Sequence, residues 1–197
     1  MDERLYLKYK KILEIIEDVA ECTDDKLILV GGTALALFYL KHRISIDLDF
    51  VPTTKEDEIK LKNELKGKLS KKGYQTLRSA YRNQFVIQFE DTSIKIEIFS
   101  PETEIKRVED KAIGNNNIKV ASLEDLLELK NISYASRKEA RDLYDIFMIL
   151  NYLKKDLGEI KKIIKMCGAP LNLEELKDLM LEEKQYIEFI EVINHVA

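Results

Sequence analysis

Cysteine is scarce: Cys22 and Cys167 are the only two in 197 residues, far apart and in segments with helical patterning. A disulfide framework and a cysteine-built metal site are therefore excluded, and a reducing cytoplasm is the expected location. There is no excess of basic charge either. Although 35% of residues are charged, 32 Lys and Arg stand against 36 Asp and Glu, a formal net charge of -4. Any nucleic-acid contact must then come from a local patch, because phosphate binding depends on clustered cations rather than on their total. Long apolar runs are missing as well. The most apolar stretch, from Leu27 to Leu40, is broken by Gly31-Gly32, and it falls short of the roughly 20 residues that cross a bilayer. The amino terminus carries Asp2, Glu3, Arg4, Lys8, Lys10 and Lys11, without the uninterrupted apolar core of a signal peptide. No export and no membrane contact are expected. Repeats and low-complexity linkers are absent too, so the 45% hydrophobic content serves one core, or a main domain with a small attached lobe.

What is present reads as a succession of short elements. Leu5, Tyr9, Ile12, Leu13, Ile16 and Val19 recur at helical spacing and predict an opening amphipathic helix. Leu27-Ile-Leu-Val30, Gly31-Gly32 and Thr33 to Leu40 read as strand, tight turn and buried helix. Ile46 to Val51 alternates apolar and acidic residues as a strand closed by Pro52, and a Lys- and Glu-rich helix is expected from Thr54 to Lys72, stopped by Gly73. Three strand-like runs follow, Gln75 to Ser79, Gln84 to Phe89 and Ser93 to Phe99, giving a small mixed sheet. Ser122 is a candidate N-cap, after which helices are expected at Leu123 to Tyr134, Lys138 to Leu153, Gly158 to Met166 and Leu173 to Val196. The sum is an α+β domain over residues 1–121 followed by a helical lobe over residues 122–197.

Asp47 and Asp49 lie two apart on a predicted strand, so both carboxylates face the same way. Two like charges on one face repel, and a hard cation between them, Mg²⁺ above all, removes the conflict. Ser93 to Ser100 alternates cleanly and places Lys95 and Glu97 together on one face, which makes Glu97 the candidate third acid. Each feature has a plainer explanation: Asp47 and Asp49 as protective charges on an edge strand, Glu97 as one residue of a solvated face. Gly31-Gly32-Thr33 sits where a buried strand enters a helix, a place whose backbone N–H groups bind anionic phosphates, with the Thr33 hydroxyl as an added donor. A tight turn with a Thr cap accounts for those three residues alone. Combined with the acidic pair they suit a triphosphate whose α-phosphate meets two metal ions.

Gly31-Gly-Thr-Ala-Leu-Ala-Leu, followed by His42-Arg43-Ile-Ser45-Ile-Asp47-Leu-Asp49-Phe50, resembles the AbiEii/AbiGii-type nucleotidyltransferases of the DNA polymerase β-like superfamily. In the helical half Leu129-Lys130, Arg137 and Arg141-Asp142-Leu-Tyr144-Asp145 are similar to that family's lysine and Arg-Asp-x-x-Asp helix motif. The resemblance implies a nucleotidyltransferase-like mixed β-sheet with flanking helices and a helical carboxy-terminal lobe. It implies Mg²⁺-dependent transfer of a nucleoside monophosphate from an NTP to an acceptor hydroxyl, with two ions held by Asp47, Asp49 and Glu97. On the nucleotide side it points to Gly31, Gly32, Thr33, Arg43, Ser45, Lys130 and Asp142, with Lys130 reaching the phosphates and Arg43 and Asp142 lining or ordering the pocket. Several relatives are toxins of toxin–antitoxin or abortive-infection systems and some modify tRNA, so a tRNA acceptor and a cognate antitoxin are the implied partners.

Glu97 departs from the aspartate more usual at the third acidic position, being one methylene longer. A catalytically reduced nucleotide- or partner-binding module and a small-molecule, antibiotic-type transferase therefore stay open beside the tRNA-directed enzyme. Arg141 and Asp145, four apart, also suit a simple helix-stabilising ion pair, and Lys130 a solvated helical lysine. His42 and His195 have no partner spacing that suggests zinc or a triad. The helix from Lys55 to Lys72 mixes Lys with Glu56, Asp57, Glu58 and Glu64, and so reads as a solvated face rather than an RNA-binding one.

Overall fold

In the computed structural model, which describes residues 2–194, the Asp2 carboxylate accepts from the Arg4 amide and opens helix α1, Glu3–Cys22. Its buried face is Ile12, Ile15, Ile16, Val19 and Ala20, and Leu13, expected inside, is 48% exposed. Strand β1 (Leu27–Val30) is buried throughout, as a central strand covered on both faces must be. It runs straight into α2 (Gly31–Phe38), and β2 (Asp47–Pro52) follows. Helix α3 spans Glu58–Lys71 rather than starting at Thr54, because the Asp57 carboxylate accepts from the Lys60 amide and fixes the first turn there.

Strands β3 (Gln75–Arg78), β4 (Gln84–Gln88) and β5 (Ser93–Ile98) lie where the alternating runs predict them. A hairpin not anticipated from sequence, β6 (Val108–Ile113) and β7 (Asn116–Ala121), turns at Gly114-Asn115, with Gly114 at φ +57. All seven strands form one mixed sheet in the order β3-β4-β5-β2-β1-β7-β6, in which the β6–β7 hairpin joins the five strands expected. β2 pairs antiparallel with β1 and parallel with β5. Leu48 and Phe50 of β2 and Ile94, Ile96 and Ile98 of β5 point to the buried face, which α1 and α3 contact. The opposite face carries Asp47, Asp49, Lys95 and Glu97.

Ser122 caps α4 (Leu123–Arg137) by accepting from the Asp125 amide. Lys138, at φ 54, ends that helix, so α5 begins at Ala140 and runs to Tyr152. α6 (Gly158–Cys167) follows, and the single helix expected from Leu173 to Val196 is instead two, α7 (Leu173–Leu179) and α8 (Glu183–Asn194). The last residues of that expected helix, and His195, lie outside the described residues. The second apolar cluster packs Tyr134, Tyr144, Phe147 and Phe189 from α4, α5 and α8, while Leu126 of α4 and Ile149 of α5 belong to the sheet's own core. The loop before β2 is tied to the helical half by the Ile44 amide, which donates to the Leu179 carbonyl (2.8 Å).

Candidate active site

The Gly31-Gly32 turn is built for close approach. Gly31 sits at φ +73, and a Cβ there would lie 2.7 Å from the Asp49 Oδ2 atom. A Cβ on Gly32 would lie 2.6 Å from the Arg43 Nη2 atom and 2.9 Å from the Ser45 hydroxyl. The two glycines thus let a turn of bare backbone rest on Asp49, Arg43 and Ser45. The Thr33 hydroxyl, expected to face phosphate, is buried and donates to the Asp47 carbonyl (2.5 Å), so it pins α2 to β2.

These residues open on a cavity of about 400 Å³. Its floor is Gly31, Gly32, Asp47, Asp49, Lys95 and Glu97, and its far wall is Lys130, Ser133, Arg137 and Arg141 of α4 and α5. Parallel pairing sets Lys95 opposite Asp47 and Glu97 opposite Asp49. The Lys95 ammonium lies 3.3 Å from Asp47 Oδ2 and 3.7 Å from Glu97 Oε2. Glu97 is held further by Asn83 Nδ2 and Gln84 Nε2, which donate to its two oxygens at 3.0 Å each.

Asp49 is placed differently. Among the described residues no hydrogen-bond donor reaches its carboxylate, and burial together with the neighbouring Asp47 charge pushes it up to about 6. A carboxylate with no donor, beside a second carboxylate on the same strand face, suits a hard divalent cation, since such an ion takes oxygen ligands and lowers that electrostatic cost. Asp47 and Asp49 are the residues that would hold it. No group of three or more His, Cys, Asp or Glu stands at metal-ligating spacing among the described residues; Glu97 accepts from two amides, and the Lys95 ammonium lies against both Glu97 and Asp47.

Behind the cavity wall lies a buried charge network that local sequence pattern does not predict. Asp145 is fully buried and accepts from Arg43 Nε and Nη2 (both 2.6 Å), with His42 Nε2 and Lys130 Nζ each 2.7 Å away. Burial alone raises a carboxyl, but Arg43 and Lys130 outweigh it and hold Asp145 well below the usual range. Burial likewise keeps His42 below its ordinary value, in spite of Asp145. Lys130 lines the cavity, but it is not a solvated lysine: it is 6% exposed, and its ammonium also pairs with Asp142 (2.9 Å). Asp142 takes two further hydrogen bonds from Arg137 (2.6 and 2.9 Å) and does not reach the cavity. Arg141 makes no ion pair with Asp145, whose oxygens are taken by Arg43 and Lys130. Its Nε is buried in the cavity wall without a partner among the described residues. His42 and Arg137 of this group draw no role from sequence, and the partner of His42, Asp145, is 103 positions away.

Comparisons with known proteins give the family and the fold. The family model described as "Nucleotidyl transferase AbiEii toxin, Type IV TA system" matches residues 17–195. The uncharacterized protein aq_aa25 of Aquifex aeolicus (strain VF5) is 28% identical over 165 residues, covering 82% of this chain and 75% of that protein. Among solved structures, JHP933 from Helicobacter pylori superimposes with a TM-score of 0.56 at 18% identity, covering 100% of this chain and 93% of the other. An antigenic nucleotidyltransferase-like protein from Paracoccidioides brasiliensis does so with a TM-score of 0.56 at 15% identity, covering 91% and 92%. At these identities the two structures establish the shared fold. With the family model spanning nearly its whole length, the chain belongs to the AbiEii nucleotidyl transferase toxin family, and it is a nucleotidyltransferase.

Proposed function

We propose that this protein transfers a nucleoside monophosphate from an NTP to an acceptor hydroxyl at the end of a tRNA, in the presence of Mg²⁺, as the toxin of a toxin–antitoxin or abortive-infection pair in the cytoplasm. The observation that carries the reading is the Asp49 carboxylate, unpartnered and poised under the Gly31-Gly32 turn beside Asp47. In this scheme residues 1–121 supply the chemistry and residues 122–197 the far wall of the nucleotide cleft. The turn's backbone holds the triphosphate, and Arg141 offers from across the cavity a guanidinium whose Nε has no partner among the described residues. Bound Mg²⁺ supplies neutralisation of triphosphate charge. The acceptor oxygen forms a bond to the α-phosphorus as the bond to the β-phosphate oxygen breaks, releasing pyrophosphate, and Glu97 takes the hydroxyl proton.

A local basic surface supports an RNA acceptor. Arg78 and Arg82 flank the exposed Tyr81 (68%) on the β3–β4 connection, and Lys62 donates to the Arg82 carbonyl (2.9 Å). Burial and the positive charges of Lys66, Arg78 and Arg82 hold Lys62 below its usual value. The same connection runs into Asn83, which touches Glu97, so a strand of phosphates crossing it leads to the site. The test is incubation with α-labelled NTPs, Mg²⁺ and total tRNA. Label on RNA is expected, and it should vanish with Asp49→Asn. Transfer to protein or to a small molecule alone would overturn the tRNA acceptor, and no transfer with no NTP binding would overturn the reading as a whole.

A further inference from the structure

Asp47, Asp49 and Glu97 share one sheet face, and of the three Asp49 alone has no hydrogen-bond or ion-pair partner among the described residues. Lys95 stands between the outer members of the trio. Its place is set by the backbone: the parallel register Asp47↔Lys95, Asp49↔Glu97 puts its side chain on the acidic face, on the strand next to Asp47. The ammonium is within reach of a carboxylate oxygen of each, 3.3 Å from Asp47 and 3.7 Å from Glu97. Glu97 has both oxygens committed, one to Asn83 and one to Gln84, whose amides come from the neighbouring strand and its leading turn. A second ion bridging Asp47 and Glu97 would have to displace the lysine, which lies against both.

We propose that Lys95 is a built-in cation that takes the place of one of the two metal ions, so that the site binds a single divalent ion, on Asp47 and Asp49 with the nucleotide. This rests on the transferase reading above and replaces the two-ion expectation drawn from sequence. One divalent ion and one ammonium balance the three carboxylates in charge, and the ammonium is fixed by the fold, whereas a second ion would have to be bound from solution. Glu97 is then an acid oriented by Asn83 and Gln84, and its carboxylate stays off the metal.

Mn²⁺ binding to the intact protein, measured by calorimetry and EPR with a non-hydrolysable α,β-methylene NTP, tests this without relying on turnover. One Mn²⁺ per chain is expected in the wild type, with the uncoupled spectrum of an isolated ion. Lys95→Met should bind a second ion and show Mn–Mn coupling, while Lys95→Arg, which keeps the charge, should stay at one. Glu97→Gln should leave the affinity of the single ion within about threefold. Two coupled ions in the wild type, an unchanged single ion in a folded Lys95→Met, or a tenfold or greater loss of Mn²⁺ affinity in Glu97→Gln would each overturn the proposal. If Lys95→Met does not fold, the wild-type count and the Glu97→Gln affinity decide the matter. Absence of all nucleotide and Mn²⁺ binding would instead overturn the transferase reading itself, and this inference with it.

Discussion

Asp145→Leu is expected to be among the most destabilising single changes in the helical half. Asp145 and His42 are fully buried, and the Arg43 and Lys130 side chains are 4% and 8% exposed, so their charges have little water to fall back on. Removing the carboxylate strands the partners unequally. Lys130 keeps Asp142, 2.9 Å away, and His42, held below its ordinary value, is neutral in any case. Arg43 keeps only the Ile44 carbonyl, 2.9 Å from Nη1, and loses both limbs of its fork. Leaving one buried charge uncompensated costs about 3–5 kcal/mol. For a chain of this size that is a fall in melting temperature of about 6–20 °C. The ion pair's contribution is complete at neutral pH, because Asp145 is held below its unfolded value and the stabilisation is lost only as acid protonates it. Urea unfolding at pH 7 should therefore show the loss in full. The double variant Arg43→Met, Asp145→Leu should recover much of it, since the stranded guanidinium is gone. A loss below about 1 kcal/mol, or a double variant no better than the single, would refute the claim that Asp145 is the anchor of a buried network.

Three other outcomes follow from the cavity and one from helix α3. Asp49, raised to about 6, stabilises the fold below its unfolded value near 4, and that contribution is lost as pH rises through about 6. In chelator, Asp49→Asn should then be more stable than the wild type at pH 8, by at most about 3 kcal/mol, with the difference fading toward pH 4.5 and shrinking when Mg²⁺ is added; a pH-independent difference in thermal melts would contradict this. Gly31→Ala must place a Cβ 2.7 Å from Asp49 Oδ2 at φ +73, costing at least about 1–2 kcal/mol for the left-handed backbone and most of the Mg²⁺ response. Gly67→Ala, in mid-helix with nothing within 4 Å of the new Cβ, should stabilise by about 0.5–1 kcal/mol in the same melts. Arg141→Met should weaken NTP binding about 10- to 150-fold, the worth of one charge-assisted hydrogen bond, with the melting temperature unchanged because Arg141 Nε has no internal partner among the described residues. A large fall in melting temperature with unaltered calorimetric affinity would reassign it to structure.

Local pattern makes much of the site legible. Alternation along β2 suffices to put Asp47 and Asp49 on one face, because strand side chains alternate whatever the partner strand is. Asp2 and Ser122 cap helices from their own side chains, so those starts can be read locally. β6 is harder: a charged edge strand, Val-Glu-Asp-Lys-Ala-Ile, carries no clear period, and its one signal is Gly114-Asn115, a dipeptide suited to a hairpin turn. Register and long-range pairing lie beyond local pattern altogether. Whether Lys95 faces Asp47 or lies a strand away from it depends on how β5 docks on β2. The meeting of Arg43 with Asp145, 102 residues apart, depends on the helical half folding back onto the loop before β2. The sequence by itself determined which side chains share a face, because backbone geometry repeats locally. Only the tertiary structure decided which of those faces and charges meet, because the desolvation that drives Arg43 and Lys130 onto Asp145 exists only once the two halves exclude water between them.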